Sequence, residues 1–169
     1  MRKLTVTALL SLIMTLSLVT PASASNQAKP ISTPYGTLMA NVWRTTGNGS
    51  VSGNTRQWEY QVSAVYSGSS SVERIRTTWY ASAALRNSAS MNLSISSSGV
   101  TVSSSSSWQY ARTPSKYWEN TNGAKSSSYR SNIVEGPAAY YQADSIYAVN
   151  TALLKIRGDT RIWQISAGV

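Results

Sequence analysis

Residues 89–108 read ASMNLSISSSGVTVSSSSSW, and their alternation of apolar and hydroxyl side chains is the most regular pattern in the chain. Successive side chains of a strand point to opposite faces, so folding this stretch about Ser98-Gly99 predicts a hairpin with one apolar face and one polar face. The apolar face would hold four cross-strand pairs, Ile95 with Val102, Leu93 with Ser104, Met91 with Ser106 and Ala89 with Trp108. The pattern therefore predicts a half-buried antiparallel hairpin.

A second hairpin is predicted from two segments in which aromatic and polar side chains alternate. Residues 58–66 (WEYQVSAVY) and 72–81 (VERIRTTWYA) each place every second side chain on an apolar face. Joined through 67–71, they would pair Tyr60 with Trp79 across a buried aromatic face. The opposite face of this hairpin would carry two arginines side by side.

The remaining segments complete an all-β pattern. Turn residues separate short apolar runs throughout, and no segment has a strong helical period. We predict a central strand over 35–44, a loop over 111–128, a short strand over 129–134, a strand rather than a helix over 140–149, and a hairpin over 152–165 that turns at Gly158-Asp159. Seven to nine strands at regular spacing predict an antiparallel β-sandwich built of successive hairpins, with a β-barrel as the second choice.

The first 24 residues carry the pattern of a secretion signal. Arg2 and Lys3 begin it, an uncharged apolar run follows, and Ala22-Ser23-Ala24 ends it with a small-x-small cleavage motif. We therefore expect residues 1–24 to be removed near Ala24 and the mature protein to be secreted to the extracellular space.

The mature chain has the composition of a small exported domain. Removing 24 of the 169 residues leaves 145, which we divide into a flexible, proline-containing leader over 25–34 and a single β domain over 35–169. The serine-rich chain has no cysteine and therefore no disulfide. An exported domain of this size that folds without disulfides favours a bacterial source.

The charge balance favours anionic partners. The 15 lysines and arginines fall to 13 when Arg2 and Lys3 are removed with the signal, and against six acidic residues they leave a net charge of about +7. An excess of positive charge attracts surfaces and polymers of negative charge. Candidate partners are therefore teichoic-type wall polymers, acidic polysaccharides, anionic lipid headgroups and extracellular DNA.

Most catalytic chemistry is excluded by composition. Without histidine or cysteine, the chain cannot build Ser-His-Asp or Cys-His nucleophile systems or the common zinc sites. Glu59 and Glu73 are the two acids of the predicted aromatic hairpin, and we interpret them as charge partners of Arg74 and Arg76 rather than as a glycosidase pair. We therefore predict a non-catalytic protein that holds no metal and no cofactor.

Aromatic side chains beside cations supply the candidate binding residues. Arg74 and Arg76 are two positions apart on one predicted strand, so they share a face with Tyr80. A second cluster of cations and rings lies in the predicted loop over 111–128. Exposed rings beside cations can stack on sugars or lipid interfaces, although such rings can also simply cover the open ends of a sandwich. The predicted binding residues are Arg74, Arg76, Tyr80, Lys116, Tyr117 and Trp118.

These features favour a secreted, non-catalytic β-sandwich that binds an anionic polymer or glycan of the cell envelope, or an anionic membrane surface. The alternative is a membrane-active, pore-forming or bacteriocin-like protein that inserts the hairpin 89–108, because each predicted arm has about nine residues, near the length of a transmembrane strand. Against insertion, the apolar face of that hairpin would include the hydroxyls of Ser104 and Ser106, which lose water in a bilayer.

Overall fold

The computed structural model describes residues 24–94, 98–137 and 143–169, so residues 1–23 of the predicted signal peptide lie outside the described residues. Across these three ranges the chain is built from β-strands joined by turns and loops. The strands are β1 (Ala24–Thr33), β2 (Gly36–Thr45), β3 (Ser50–Ser52), β4 (Thr55–Gly68), β5 (Val72–Leu85), β6 (Ser90–Leu93), β7 (Gly99–Thr101), β8 (Gln109–Arg112), β9 (Lys116–Asn120), β10 (Ser126–Gly136), β11 (Ala143–Ile156) and β12 (Trp163–Gly168).

The strands form two antiparallel sheets that pack face to face. The seven-stranded sheet has the order β1-β2-β4-β10-β6-β7, and the short β3 pairs with the start of β4. The five-stranded sheet has the order β12-β11-β5, and β8 and β9 then pair with successive parts of the other edge of β5. This arrangement confirms the predicted β-sandwich.

The core between the sheets has an aromatic centre. Trp79 of β5 donates its indole N–H to the Tyr60 hydroxyl of β4 at 2.8 Å. The Trp79 ring also stacks on Tyr129 of β10, with ring centroids 4.9 Å apart. Burial raises the pKa of Tyr60 to about 12, although the hydrogen bond from Trp79 acts in the opposite direction. The buried faces predicted for 58–66 and 72–81 are therefore confirmed.

The predicted hairpin between 58–66 and 72–81 is nevertheless wrong. β4 pairs with β2 and β10, whereas β5 pairs with β11, β8 and β9, so the two strands belong to different sheets. Tyr60 and Trp79 meet across the core instead of along a strand ladder. The alternation of the sequence shows which side chains are buried. It does not show whether two strands pair side by side in one sheet or pack face to face from different sheets, because both arrangements bury the same side chains.

The stretch 89–108 forms a hairpin in a different register from the predicted one. β6 and β7 pair Met91 with Val100 and Asn92 with Gly99, whereas a turn at Ser98-Gly99 would pair Ile95 with Val102. The arms have four and three residues. Residues 95–97, and with them the predicted Ile95–Val102 pair, lie outside the described residues.

The predicted buried face of this hairpin is confirmed only on its first arm. Ala89, Met91 and Leu93 are buried, and β6 is held in the sheet by pairing with β10. In the second arm Ser104 and Ser106 are exposed, because the serine run offers no apolar side chain to the core. Over the described part of the stretch, the arms are therefore much shorter than the roughly nine residues on which the membrane-inserting alternative depended. The pore-forming alternative stays an untested prediction.

A strand replaces the flexible leader that was predicted over 25–34. β1 pairs with β2 along its whole length, from Ala24 opposite Thr45 to Thr33 opposite Gly36. β1 is an edge strand, and this position tolerates Pro30 because only one side of the strand needs ladder hydrogen bonds. Its side chains are mostly polar, so the sequence lacked the apolar alternation that reveals the other strands.

Two of the remaining predictions are confirmed. β2 is a central strand between β1 and β4. The C-terminal hairpin pairs Ala152 with Ile165, although residues 157–162 connect β11 to β12 and make a longer connection than the predicted two-residue turn.

The predictions for residues 111–149 are confirmed in part. The predicted short strand 129–134 lies within β10. The predicted strand over 140–149 is observed from Ala143 onward, and 140–142 lie outside the described residues. The predicted loop over 111–128 is wrong because it contains β9, whose exposed rings gave no apolar alternation.

Candidate functional site

The outer face of the five-stranded sheet carries the arginines that the sequence singled out. Along β5, Ile75, Thr77 and Trp79 are buried, while the residues between them are partly exposed. Arg74, Arg76 and Tyr80 therefore lie together on the solvent side of the sheet. The side chains of the two arginines are 33% and 30% exposed, so a ligand can reach them.

β9 adds Tyr117 to the same face. β9 pairs with β5 so that Tyr117 stands opposite Thr78 and Glu119 stands opposite Arg76. Directly opposed residues of an antiparallel pair point to the same side of the sheet. Tyr117 is 65% exposed, and the Arg76 guanidinium carbon lies 5.5 Å from the centre of its ring, a cation–π geometry.

Lys116 and Trp118, the other two predicted binding residues of β9, point to the opposite face. Lys116 stands opposite Trp79 and Trp118 stands opposite Thr77, and both of those partners are buried. The Trp118 ring lies 6.5 Å from the ring of Tyr129 and remains 52% exposed at the margin of the sandwich. The structure thus separates Lys116 and Trp118 from the arginines.

Two residues of β8 join the face, although they were not among the predicted binding residues. Arg112 stands opposite Ser82, and its guanidinium carbon lies 3.5 Å from the centre of the Tyr80 ring. Tyr110, two positions earlier and on the same side of the sheet, is 76% exposed. Because Tyr110 and Arg112 are two positions apart in QYAR, the sequence could have indicated that they share a face of a strand. It could not have shown that this strand pairs with β5. We call the surface formed by Arg74, Arg76, Tyr80, Tyr110, Arg112 and Tyr117 the arginine–tyrosine face.

One carboxylate partly balances the two arginines of β5. Glu119 Oε2 lies 3.7 Å from Arg74 Nε and 3.8 Å from Arg76 Nη1. Both separations are longer than hydrogen bonds, so Glu119 screens the two charges without occupying the donors of either guanidinium. A single negative charge shared by two positive charges leaves this part of the face basic.

Glu59 and Glu73 do not balance these arginines, which corrects the interpretation made from the sequence. Glu59 pairs with Arg130 at 2.7 Å on the seven-stranded sheet. Glu73 pairs with Lys155 at 2.8 Å on the five-stranded sheet. Because the two carboxylates lie on different sheets, they do not face each other as a glycosidase pair would.

An open cavity of about 430 Å³ extends the basic surface beyond Arg74. Its lining includes three cations and two carboxylates, namely Arg74, Lys155, Arg157, Glu73 and Glu119, together with Thr121. Since Glu73 is already paired with Lys155, Arg157 adds positive charge to the end of the arginine–tyrosine face.

Comparison with known proteins adds no relative. The chain matches no protein-family model, and no curated protein is significantly similar to it.

Among the residues described by the structure, no three acidic side chains gather as metal ligands would. Over the same ranges, no helix is long and apolar enough to cross a membrane.

Proposed function

We propose that this protein is a secreted, non-catalytic β-sandwich that binds an anionic polymer of the cell envelope through the arginine–tyrosine face. The proposal rests on the presence of Arg74, Arg76 and Arg112 on one solvent-facing surface of two paired strands, with Arg112 opposite Ser82, six residues along β5 from Arg76. The net positive charge of the chain supports an anionic partner. The signal pattern in residues 1–24 supports a location outside the cell.

The spacing of the arginines suits a polymer better than an isolated anion. Arg74 and Arg76 are two residues apart on a strand, which separates their side-chain origins by roughly 6.5–7 Å. Guanidinium groups present a planar fork of donors that matches phosphate and carboxylate oxygens. The exposed ring of Tyr117, and that of Tyr110 at the far end, offer stacking surfaces for the sugar or glycerol units between the anionic groups.

Sedimentation with purified cell walls tests this proposal. The mature protein is expected to sediment with walls at low ionic strength and to be released as salt rises, because salt screens exposed charges. Replacing two cations of the face in Arg76→Gln/Arg112→Gln is expected to weaken binding by about a hundredfold, since each lost hydrogen bond to a charged group contributes about 1.5–3 kcal/mol.

The matched control removes the same number of charges elsewhere. Lys29→Gln/Lys125→Gln lowers the net charge equally but leaves the arginine–tyrosine face intact, and it should bind like the wild type. The proposal would fail if the arginine variant bound as well as the wild type while keeping its fold. It would also fail if both double variants lost binding equally, because net charge alone would then explain the attraction.

A further inference from the structure

We propose that the opposite sheet carries a separate binding site for a neutral pyranose oligosaccharide, centred on Trp43. Trp43 lies on β2 next to the buried Val42, so its indole points to the outer face of the seven-stranded sheet. It stands opposite Asn26 of β1 on one side and opposite Gln61 of β4 on the other. This site lies beyond the proposed function because it shares no residue with the arginine–tyrosine face.

The row through Trp43 continues onto a fourth strand. Gln61 stands opposite Arg130 of β10, and the Arg130 guanidinium carbon lies 5.6 Å from the centre of the Trp43 ring. Arg130 is held by its 2.7 Å ion pair with Glu59. One row thus places a carboxamide, an indole, a second carboxamide and a guanidinium across four neighbouring strands.

Two open cavities meet at Trp43 and Gln61. One, of about 310 Å³, extends over β1 and β2 past Asn26 and Asn41. The other, of about 380 Å³, extends towards Arg130. Because both cavities include Trp43 and Gln61 in their lining, they adjoin each other across the strands. We call this surface, lined by Asn26, Asn41, Trp43, Gln61, Ser63 and Arg130, the Trp43 groove.

The lining of the Trp43 groove has the chemistry that recognises a sugar ring. An indole face packs against the apolar C–H face of a pyranose. Carboxamides and hydroxyls both donate and accept hydrogen bonds, as sugar hydroxyls do. Asn41 Nδ2 donates to Ser63 Oγ at 3.0 Å, and this bond uses neither the Asn41 Oδ1 acceptor nor the Ser63 hydroxyl donor.

Charge distinguishes the expected occupant from that of the other sheet. Among the described residues that line the two cavities, Arg130 is the only charged one, and Glu59 neutralises it. An anionic polymer would therefore find no net attraction here, whereas an uncharged sugar chain could exchange its hydrogen bonds to water for hydrogen bonds to the carboxamides and the Ser63 hydroxyl. The groove is accordingly assigned to a neutral oligosaccharide.

Isothermal titration calorimetry with three neutral hexasaccharides tests the assignment. The probes are the β-1,4-linked hexamer of N-acetylglucosamine and the β-1,4-linked and α-1,4-linked hexamers of glucose, each titrated into the mature protein at low and high salt. At least one hexamer is expected to bind with an affinity that salt does not change. Trp43→Ala should weaken that binding by about tenfold, because the stacking surface is lost.

Trp108→Ala is the matched control, because Trp108 is also a partly exposed indole beside an arginine, with Arg86 4.3 Å from its ring centre. It should leave hexamer binding unchanged. If Trp43→Ala fails to fold, Gln61→Ala, at an exposed position of the same row, takes its place with the same expected direction. Absence of binding by all three hexamers at millimolar concentration overturns the inference, as does a folded Trp43→Ala variant that binds like the wild type.

The two proposals fail independently. Arg76→Gln/Arg112→Gln should leave hexamer binding intact, and Trp43→Ala should leave the salt-sensitive sedimentation with cell walls intact. A wild-type protein that binds a hexamer but does not sediment with walls would contradict only the function assigned to the arginine–tyrosine face. A wild-type protein that sediments with walls but binds none of the hexamers would contradict only the assignment of the Trp43 groove.

Discussion

Asn150 of β11 ties the two sheets together through side-chain hydrogen bonds. The residue is fully buried, and its Oδ1 accepts a 2.5 Å hydrogen bond from the Thr77 hydroxyl on the neighbouring β5. Its Nδ2 donates to the backbone carbonyls of Asn41 and Ser63 in the opposite sheet, both at 2.8 Å. A buried carboxamide is stable only with such partners, so this contact fixes how the sheets align.

Replacing Asn150 with leucine should therefore destabilise the fold. The change removes three hydrogen bonds and leaves the Thr77 hydroxyl and two carbonyls without these partners, and we expect the free energy of unfolding to fall by about 3 kcal/mol. Urea unfolding followed by tryptophan fluorescence measures it. As a control, Thr151→Ala removes only an exposed hydrogen bond to Ser166 and should change stability by less than about 1 kcal/mol. A leucine variant as stable as this control would show that Asn150 does not join the sheets.

The face on which a candidate residue lies could be predicted within one strand but not between strands. Alternation alone placed Arg74, Arg76 and Tyr80 on one face, because the period of a strand is independent of its neighbours. The side to which Trp118 points depends on the register of β9 against β5, and Thr77 opposite it is buried. No local pattern in the sequence encodes that register. The sequence therefore predicts Trp118 as a binding residue in a loop but does not show whether it shares a face with the arginines.

Among the strands, β1 is expected to stabilise the fold, although the sequence pattern predicts a flexible leader in its place. Deleting residues 24–33 removes a ten-residue ladder with β2 and the hydrogen bond from Gly168 N–H to Gln27 Oε1, which joins β1 to the other sheet. We expect the melting temperature to fall by about 5 °C or more relative to a chain that begins at Ala24. Thermal unfolding followed by circular dichroism measures the difference. An unchanged melting temperature would return 25–34 to its first interpretation as a flexible leader.

The strands that were predicted well share a strong apolar face. β4 and β5 bury every second side chain over most of their length, so their buried faces could be inferred from the alternation of the sequence. Their full extents could not, because β4 begins three residues before the predicted strand and β5 ends four residues after it. β1 and β9 lie at sheet edges and carry mostly polar or exposed side chains, so only backbone pairing makes them strands. The hairpin of β6 and β7 lies between these cases, because its first arm is buried and its second arm is serine-rich.

At the scale of the whole molecule, the sandwich presents two chemically different surfaces. The five-stranded sheet exposes guanidinium groups stacked on tyrosine rings, with one shared carboxylate. The seven-stranded sheet exposes an indole among carboxamides and a neutralised ion pair. A protein that uses both would hold an anionic polymer on one side and an uncharged glycan on the other. The all-β class could be predicted from the sequence. The chemical difference between the two outer faces could not, because it depends on which strands lie in which sheet.

Amide chemical-shift mapping with a short poly(glycerol phosphate) oligomer tests anion binding by the arginine–tyrosine face, because it locates the bound anion on the folded protein. We expect shifts confined to β5, β8 and β9 around Arg76, Arg112 and Tyr117, and we expect added salt to reverse them because exposed charges are screened. Shifts centred on Trp43 instead, or scattered over the surface without a site, would contradict the assignment of anion binding to the arginine–tyrosine face.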